Sequence, residues 1–243
     1  MIYKTKPGQI SYGESIGILL LDSEAPYIPG DVANATTYDF PVRFQRVPGL
    51  TVEKMMNHDL SLLGALRKGA ETLKAEGVRA ITSDCGFMAL YQQDLAERLD
   101  LPVFLSSLLQ IPFIKQLTPI DSMIGIITAN KKALTSEVLA LCEADIPQRL
   151  AIEGLENAPY FSSTFLKEEG ILNTVEVEKE VVIAAQRMQE KHPNMKSILL
   201  ECSVLPPYAS AVQKATGLAV FDFVTMIRYV HSAVVREHSK GHM

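Results

Sequence analysis

The chain has 243 residues, 47% hydrophobic and 21% charged, so it is long enough to bury a full core as one large domain or as two fused halves. Lys and Arg number 23 against 28 Asp and Glu, a formal net charge of −5, which argues against nucleic acid as a partner. Three cysteines, an odd number, argue against a disulfide framework and for a reducing compartment. The longest early apolar run, residues 16–21, is far shorter than a membrane span, so we expect a soluble, cytoplasmic protein.

Short aliphatic or β-branched runs alternate with longer stretches of helical period, which is typical of βαβ units around a mainly parallel sheet. The predicted strands cover residues 16–21, 42–47, 78–83, 102–105, 123–128, 149–153, 197–200 and 218–221. The predicted helices cover residues 52–75, 89–99, 132–142, 175–191, 208–215 and 224–237. Residues 25–41, with three prolines and a polar cluster, predict a long ordered loop of the kind that often binds ligands.

The second half of the chain repeats part of the first. Residues 197–225 align without a gap on residues 80–108 at an offset of 117, which places Cys202 on Cys85 and Glu201 on Asp84. A weaker repeat joins residues 124–126 to residues 16–18 at an offset of 108. The sequence therefore predicts an α/β fold of two similar, Rossmann-like lobes with mainly parallel sheets, related by an approximate two-fold axis.

Both matched cysteines follow a predicted strand, where ligands bind in open α/β sheets, so we expect Cys85 and Cys202 to point into one cleft. Two facing thiols suit inversion of a stereocentre, because one removes a proton from one face of a carbon and the other delivers a proton to the opposite face. Helix N-termini are expected to lower the pKa of both thiols. The residues that follow, Gly86 and Ser203, open turns whose free N–H groups can bind a carboxylate.

Other interpretations of these residues remain open. Free cysteines are commonly small buried hydrophobic residues, and Cys142, which has no counterpart, is most simply a packing residue. Asp84 and Glu201 precede the matched cysteines, and because neighbours on a strand point to opposite faces, we expect both carboxyls behind the thiols rather than in the cleft.

Three segments carry a resemblance to the aspartate/glutamate/hydantoin racemase superfamily: IGILLLDS at 16–23, SDCG at 83–86 and ECSVLP at 201–206. The resemblance covers nearly the whole chain and implies two intertwined α/β lobes with the active site between them. It implies lobes of roughly residues 1–120, with a C-terminal helix at 223–243, and residues 121–222. It also implies that the two matched cysteines are the acid/base pair and that no pyridoxal phosphate or other cofactor is used.

The same resemblance implies further substrate contacts. Asp22 matches an acidic residue that often lines the cleft, and Asn34 lies in the loop that often covers it. Thr128 and Asn130 match a polar turn that contacts a substrate carboxylate in relatives. Amino-acid racemases of the group often have Cys-Asn-Thr and Cys-Thr-His at the two cysteines, whereas this chain has Cys-Gly-Phe at 85–87 and Cys-Ser-Val at 202–204. The missing histidine argues against a standard glutamate racemase, and Phe87 suggests an apolar wall.

The leading hypothesis is a cofactor-independent racemase or epimerase that inverts a carbon next to a carboxylate or amide carbonyl, with an amino acid or a hydantoin as substrate. The alternatives are an isomerase or decarboxylase that uses one cysteine, as in maleate isomerases and arylmalonate decarboxylases, and a non-catalytic binder of small acids. The histidines show no metal-ligand spacing, so no metal is predicted. Apolar helical positions such as Met55 and Leu63 suit either core packing or a homodimer.

Overall fold

The computed structural model describes residues 2–144, 149–239 and 241. Strands β1 to β7 are Ile16–Leu20, Val42–Arg46, Ala80–Ser83, Met123–Thr128, Leu150–Gly154, Met195–Leu200 and Ala219–Phe221. Helices α1 to α9 are Val52–Met56, Leu63–Ala75, Gln92–Arg98, Ile111–Leu117, Ser136–Leu141, Pro159–Phe161, Thr174–Lys191, Ala209–Thr216 and Phe223–Val234. Among these described residues, no helix has the length and apolar character needed to cross a membrane.

The strands form two parallel sheets with the same internal order. The first sheet runs β2-β1-β3 and the second runs β5-β4-β6-β7. Every ladder is parallel, as expected for strands joined by helical crossovers. A single parallel bridge from Ile81 to Val103 stands in the first sheet where β7 stands in the second. The predicted α/β class is confirmed, while the strand predicted at 102–105 is reduced to that bridge.

The register of the two sheets follows the sequence repeat. Gly17 pairs with Ile81 in the first sheet, and Gly125 pairs with Ile198 in the second. Gly125 lies 108 residues after Gly17, and Ile198 lies 117 residues after Ile81, which are the two offsets of the sequence repeat. The bridge between Ile81 and Val103 has its counterpart 117 residues later, in the pair between Ile198 and Val220. The duplication is therefore a repeat of strand pairing as well as of residue type.

Side chains from alternate positions of β1 pack on helices at opposite faces of the first sheet, as strand periodicity requires. Ile16 and Ile18 share a core cluster with Phe223 and Ile227 of α9, so the C-terminal helix packs on the first sheet. Leu19 lies in another cluster, which also contains α2 side chains and Ile124 and other residues of the second sheet. Because this core is continuous between the sheets, the ends of their strands are held against each other.

The region predicted as one helix over 52–75 is broken between α1 and α2. His58 has a positive φ of 54°, which ends the first helix because the left-handed region cannot continue a right-handed one. Asp59 then caps a 3-10 turn, Leu60–Leu62, by accepting the N–H of Ser61 at 2.9 Å. Asn, His and Asp are favoured in such turns, but the apolar period continues through them, and periodicity alone misses the break.

Other helix bounds also differ from the pattern. The helix predicted over 132–142 begins at Ser136, because Thr135 caps it, and the one predicted over 89–99 begins as the 3-10 turn Gly86–Tyr91. Two short helices, α4 and α6, were not predicted; each has Pro in its first turn, a favourable helix start. The C-terminal helix predicted over 223–243 ends at Val234, and residues 240, 242 and 243 lie outside the described residues.

Candidate active site

Cys85 and Cys202 occupy matching positions at the carboxyl ends of two strands. Cys85 follows β3 and caps the turn Gly86–Tyr91, and Cys202 follows β6. Both side chains line one cavity of about 40 Å³, whose wall comes from both halves of the chain. The structure thus brings together the two thiols that the sequence repeat aligns.

Burial controls the protonation of the two thiols. It raises the pKa of Cys85 and of Cys202 well above the ordinary range, and the nearby carboxyl of Glu201 raises both further. The backbone N–H groups of Phe87 and Val204, each two residues beyond a cysteine, donate to the thiols and lower their pKa. Desolvation outweighs these N–H donors, so the expected net lowering of the thiol pKa is wrong for the closed cavity.

The cavity wall is mostly apolar. Its apolar residues are Leu21, Ala25, Val52, Met55, Met56, Ala129, Phe165, Leu166 and Val204, and its polar residues besides the cysteines are Ser23, Tyr27, Asp84 and Ser203. None of the described residues on this wall is Lys, Arg or His.

Asp84 lies on the cavity wall, in contrast to the position that strand alternation predicts for it. β3 ends at Ser83, so the alternation of side chains no longer applies at Asp84. Its Oδ1 accepts the N–H of Leu21 at 2.9 Å, and burial raises the pKa of this carboxyl to about 7. Sequence reasoning missed this residue because it extended the alternation of side chains one residue beyond the strand end, which it placed correctly at Ser83.

Glu201 is fully buried and lies away from the wall, as expected. Its Oε2 accepts the hydroxyl of Thr128 at 2.8 Å, whereas its Oε1 has no hydrogen-bond partner among the described residues. A Cβ on Gly86 would overlap that Oε1. The turn after Cys85 therefore needs glycine, because the carboxyl of the opposite half occupies the space of a side chain. Burial raises the pKa of Glu201 to about 7.

Two serine hydroxyls bind the chain segments beside the cysteines to each other. Ser203 lines the cavity, and its Oγ donates to the main-chain oxygen of Asp84. Ser107 Oγ donates to the main-chain oxygen of Glu201 at 2.9 Å. Each hydrogen bond joins one half of the chain to the other, and both are buried, so they hold the two strand ends in fixed positions.

Of the residues proposed as substrate contacts, Ser203 lines this cavity, whereas six others do not: Asp22, Asn34, Gly86, Phe87, Thr128 and Asn130. Asp22 accepts from the guanidinium of Arg46 and from the N–H of Gly49, and these bonds lower its pKa. The other five residues also have partners or packing elsewhere in the fold, and the substrate roles of all six stay predictions. Asn34 caps the turn Ala35–Thr37, Asn130 accepts the N–H of Lys132, and Phe87 lies in the hydrophobic core.

A loop from the first half closes over the cavity and is bound to the second half by one carboxylate. Glu168 Oε1 accepts the hydroxyl of Ser23 at 2.6 Å and the N–H of Glu24 at 2.9 Å. Tyr27 donates its hydroxyl to Ser23 Oγ at 3.0 Å. Glu168 has a φ of 53°, an uncommon conformation for a residue other than glycine. The predicted binding loop at 25–41 thus contributes Ala25 and Tyr27 to the wall, and the sequence carried no signal for its contact with Glu168.

The chain is similar in sequence to known lyases. A dimethylsulfoniopropionate lyase from Durusdinium sp. clade D is 31% identical over 217 residues, which are 86% of this chain and 71% of that protein. The chain belongs to the dimethylsulfoniopropionate lyase family. Dimethylsulfoniopropionate lyase 5 of Emiliania huxleyi (strain CCMP1516) is 32% identical over 232 residues, 90% of this chain and 45% of that protein, so the chain spans about half the length of that family member. No protein-family model matches the chain.

Solved structures show the fold that this lyase family shares with other enzymes. Glutamate racemase from Bacillus anthracis aligns with a TM-score of 0.57 over 90% of this chain and 82% of that one, at 15% identity. An arylmalonate decarboxylase aligns with a TM-score of 0.60 over 93% and 94%, at 15% identity. Allantoin racemase from Pseudomonas fluorescens aligns with a TM-score of 0.59 over 91% of both chains, at 15% identity. The expected two-lobed racemase fold is confirmed by these alignments.

The expected activity is corrected by the sequence relatives. The hypothesis of an isomerase that racemises amino acids or hydantoins is wrong, because the curated relatives at 31–32% identity are lyases. The assignment to amino-acid metabolism is wrong for the same reason. A fold that racemases and this lyase family share does not by itself fix the reaction.

The contact between Gly86 and Glu201 predicts a large difference between two glycine substitutions. Gly86→Ala is expected to lower the free energy of unfolding by about 2 kcal/mol or more, because its Cβ meets a buried carboxyl. Gly64→Ala is the control, since nothing lies within 4 Å of a Cβ there, and it is expected to stabilise helix α2 by up to about 1 kcal/mol. Urea unfolding of both variants measures the difference. Equal effects would show that the carboxyl moves away at little cost.

The buried Glu201 carboxyl predicts a pH dependence of stability. Its pKa is raised from 4.5 in the unfolded chain to about 7 in the folded one, so the folded state binds more protons between these values. The contribution of this group to the free energy of unfolding, on the order of 3 kcal/mol, is therefore fully present below pH 4.5 and is lost as the pH rises to about 7. Urea unfolding at several pH values is expected to show a smaller decrease in Glu201→Gln than in the wild type. An unchanged decrease would show that Glu201 ionises normally.

The contact at Glu168 predicts local protection of the loop. Glu168→Ala removes the acceptor of the Ser23 hydroxyl and the Glu24 N–H, and hydrogen bonds to a carboxylate contribute about 1.5–3 kcal/mol. Amide hydrogen exchange in residues 23–27 is expected to become at least about tenfold faster, with no change in α7. Glu169→Ala, at the neighbouring position, is the control. Equal exchange in both variants would exclude a closing role for Glu168.

Proposed function

We propose that this chain is a lyase that cleaves dimethylsulfoniopropionate into dimethyl sulfide and acrylate. The observation that carries the proposal is a pair of thiols on one cavity in a chain of the dimethylsulfoniopropionate lyase family. The chain spans 71% of one such lyase and 45% of another, and the residues compared include both strand ends that carry the cysteines.

The reaction needs one base. Dimethylsulfoniopropionate carries a carboxylate at one end and a dimethylsulfonium group on the carbon β to it. A thiolate removes a proton from the α-carbon, the electrons of that C–H bond form the C=C bond of acrylate, and the electrons of the C–S bond leave with sulfur. Dimethyl sulfide departs as a neutral molecule, so no acid is required to protonate it, and the released proton stays on the thiol.

The neutral polar groups of the wall are suited to the carboxylate end. Hydroxyl groups of Ser23, Tyr27 and Ser203 lie on the wall, and each could bind a substrate carboxylate by exchanging the acceptor that it has in this structure, which is Glu168, Ser23 or the main-chain oxygen of Asp84 respectively. Hydrogen bonds to the carboxylate also stabilise negative charge that develops on it when the α-proton leaves. Met55, Met56 and Leu21 give the rest of the wall an apolar character, which excludes water from the reacting carbon.

Cysteine substitutions test this function with an internal control. Wild-type protein incubated with dimethylsulfoniopropionate is expected to release dimethyl sulfide, measured by headspace gas chromatography, and an equal amount of acrylate, measured by proton NMR. At least one of Cys85→Ser and Cys202→Ser is expected to lower kcat by about 100-fold or more, since a positioned base contributes that much. Cys142→Ser is the matched control, because this buried thiol does not line the cavity, and it should change kcat by less than about threefold.

Two results would overturn the proposal. One is a folded wild-type protein that releases no dimethyl sulfide. The other is wild-type activity in both cavity variants, which would show that neither thiol removes the proton. Far-ultraviolet circular dichroism and the melting temperature of each variant separate loss of the base from loss of the fold.

A further inference from the structure

The ionisable groups at the cavity are all acids. Asp84 lies on the wall with the two thiols, and Glu201 and Asp31 are buried close enough to affect them. Asp31 is 2% exposed, and its Oδ1 accepts the N–H of Ala33 at 2.8 Å. No Lys, Arg or His occurs among the described residues of the wall. A cluster of buried acids without a base is unfavourable to any negative charge added to it.

A cationic ligand would supply the positive charge that the described wall residues do not provide. Burial raises the pKa of Asp84 to about 7, and charge on Asp84 raises the pKa of Asp31 and of both thiols. A cation bound among these groups would favour the ionised form of each of them. The cavity is therefore suited to a ligand with a positive end, and unsuited to one whose charges are all negative.

Asp84 is the acid whose side chain can reach such a ligand. It lies on the wall, whereas Glu201 does not. The Leu21 N–H holds its Oδ1 at 2.9 Å, and the Ser203 hydroxyl holds its main-chain oxygen. These bonds from both halves of the chain fix the carboxyl beside Cys85 without a competing cation.

Tyr27 adds an aromatic ring to the same wall. Its hydroxyl donates to Ser23 at 3.0 Å, which fixes the ring beside the cavity. Aromatic rings attract onium groups through their negative faces, and the effect is stronger in desolvated sites. Apolar neighbours such as Met55 and Met56 suit the methyl groups of a dimethylsulfonium.

We propose that Asp84, assisted by the ring of Tyr27, is a specificity-determining residue that binds the sulfonium end of the substrate, a role that rests on the proposed lyase function. The carboxyl selects a cationic leaving group over a neutral group of the same shape. It places the positive sulfur beside Cys85, so that the substrate itself brings the charge that favours a thiolate.

Two unreactive ligands of equal size test this role. In 3-(trimethylammonio)propionate the onium end is positive, and in 4,4-dimethylpentanoate a carbon replaces the nitrogen, so the two differ in charge but not in shape. Isothermal titration calorimetry on the full chain gives the Kd of each. The wild type is expected to bind the cationic ligand at least about tenfold more tightly than the neutral one.

The ratio of the two Kd values is the decisive quantity, because a general loss of the site affects both ligands equally. Asp84→Asn keeps the shape of the side chain and an acceptor for the Leu21 N–H, and is expected to lower the ratio to below about threefold. Glu201→Gln removes the matching carboxyl of the other half, which does not line the cavity, and should leave the ratio within about twofold of the wild type. Tyr27→Phe should preserve the ratio better than Tyr27→Leu, since it keeps the ring.

The outcomes separate this inference from the proposed lyase function. An equal Kd for both ligands in the wild type, no binding of the cationic ligand, or an unchanged ratio in Asp84→Asn would each overturn the role of Asp84, even if dimethyl sulfide is released. A ratio that depends on Asp84 in a protein that releases no dimethyl sulfide would support an onium site and overturn the lyase function alone.

Discussion

The close contact between two equivalent strand ends determines the chemistry of this molecule. Each half of the chain ends a parallel strand with an acid followed by a cysteine, and buried serine hydroxyls bind each strand end to the opposite half. The contact excludes water, and desolvation then raises the pKa of every acid it encloses. A thiol in this environment stays protonated until a ligand alters the local charge. If the proposed function holds, binding of a positively charged substrate at this interface is linked to formation of the thiolate.

The shared fold of racemases, a decarboxylase and this lyase family has a chemical basis. Racemisation and β-elimination both begin with removal of a proton next to a carbonyl group, and a thiolate at the end of a strand can perform that step in either case. The reactions diverge afterwards, according to whether a proton returns to the carbon or a group leaves from its neighbour. The groups that recognise the leaving end of the substrate, rather than the thiols, must then distinguish the enzymes of this fold.

Much of the fold could be predicted from the sequence, because a duplicated pattern of strands and cysteines constrains pairing as well as position. The offset of 117 residues aligns Cys202 with Cys85, and the same offset relates Val220 to Val103 in the two sheets. The activity could not be predicted in this way, because the strand ends that carry the resemblance are common to enzymes that do different chemistry. The direction of Asp84 and the contact of Glu168 were also out of reach. Both depend on where a strand ends and on which loops meet across the interface, and neither leaves a local periodicity.

The packing of Glu201 against Gly86 has a consequence for how such enzymes diverge. Gly86 and Glu201 lie in different halves of the chain, yet the Glu201 carboxyl occupies the space that a side chain at position 86 would need. A family member that acquires a side chain after its first cysteine must therefore have a smaller residue, or a displaced acid, before its second cysteine. The two halves of the duplication cannot change independently at this point, and substitutions at the two sites should occur together among homologues.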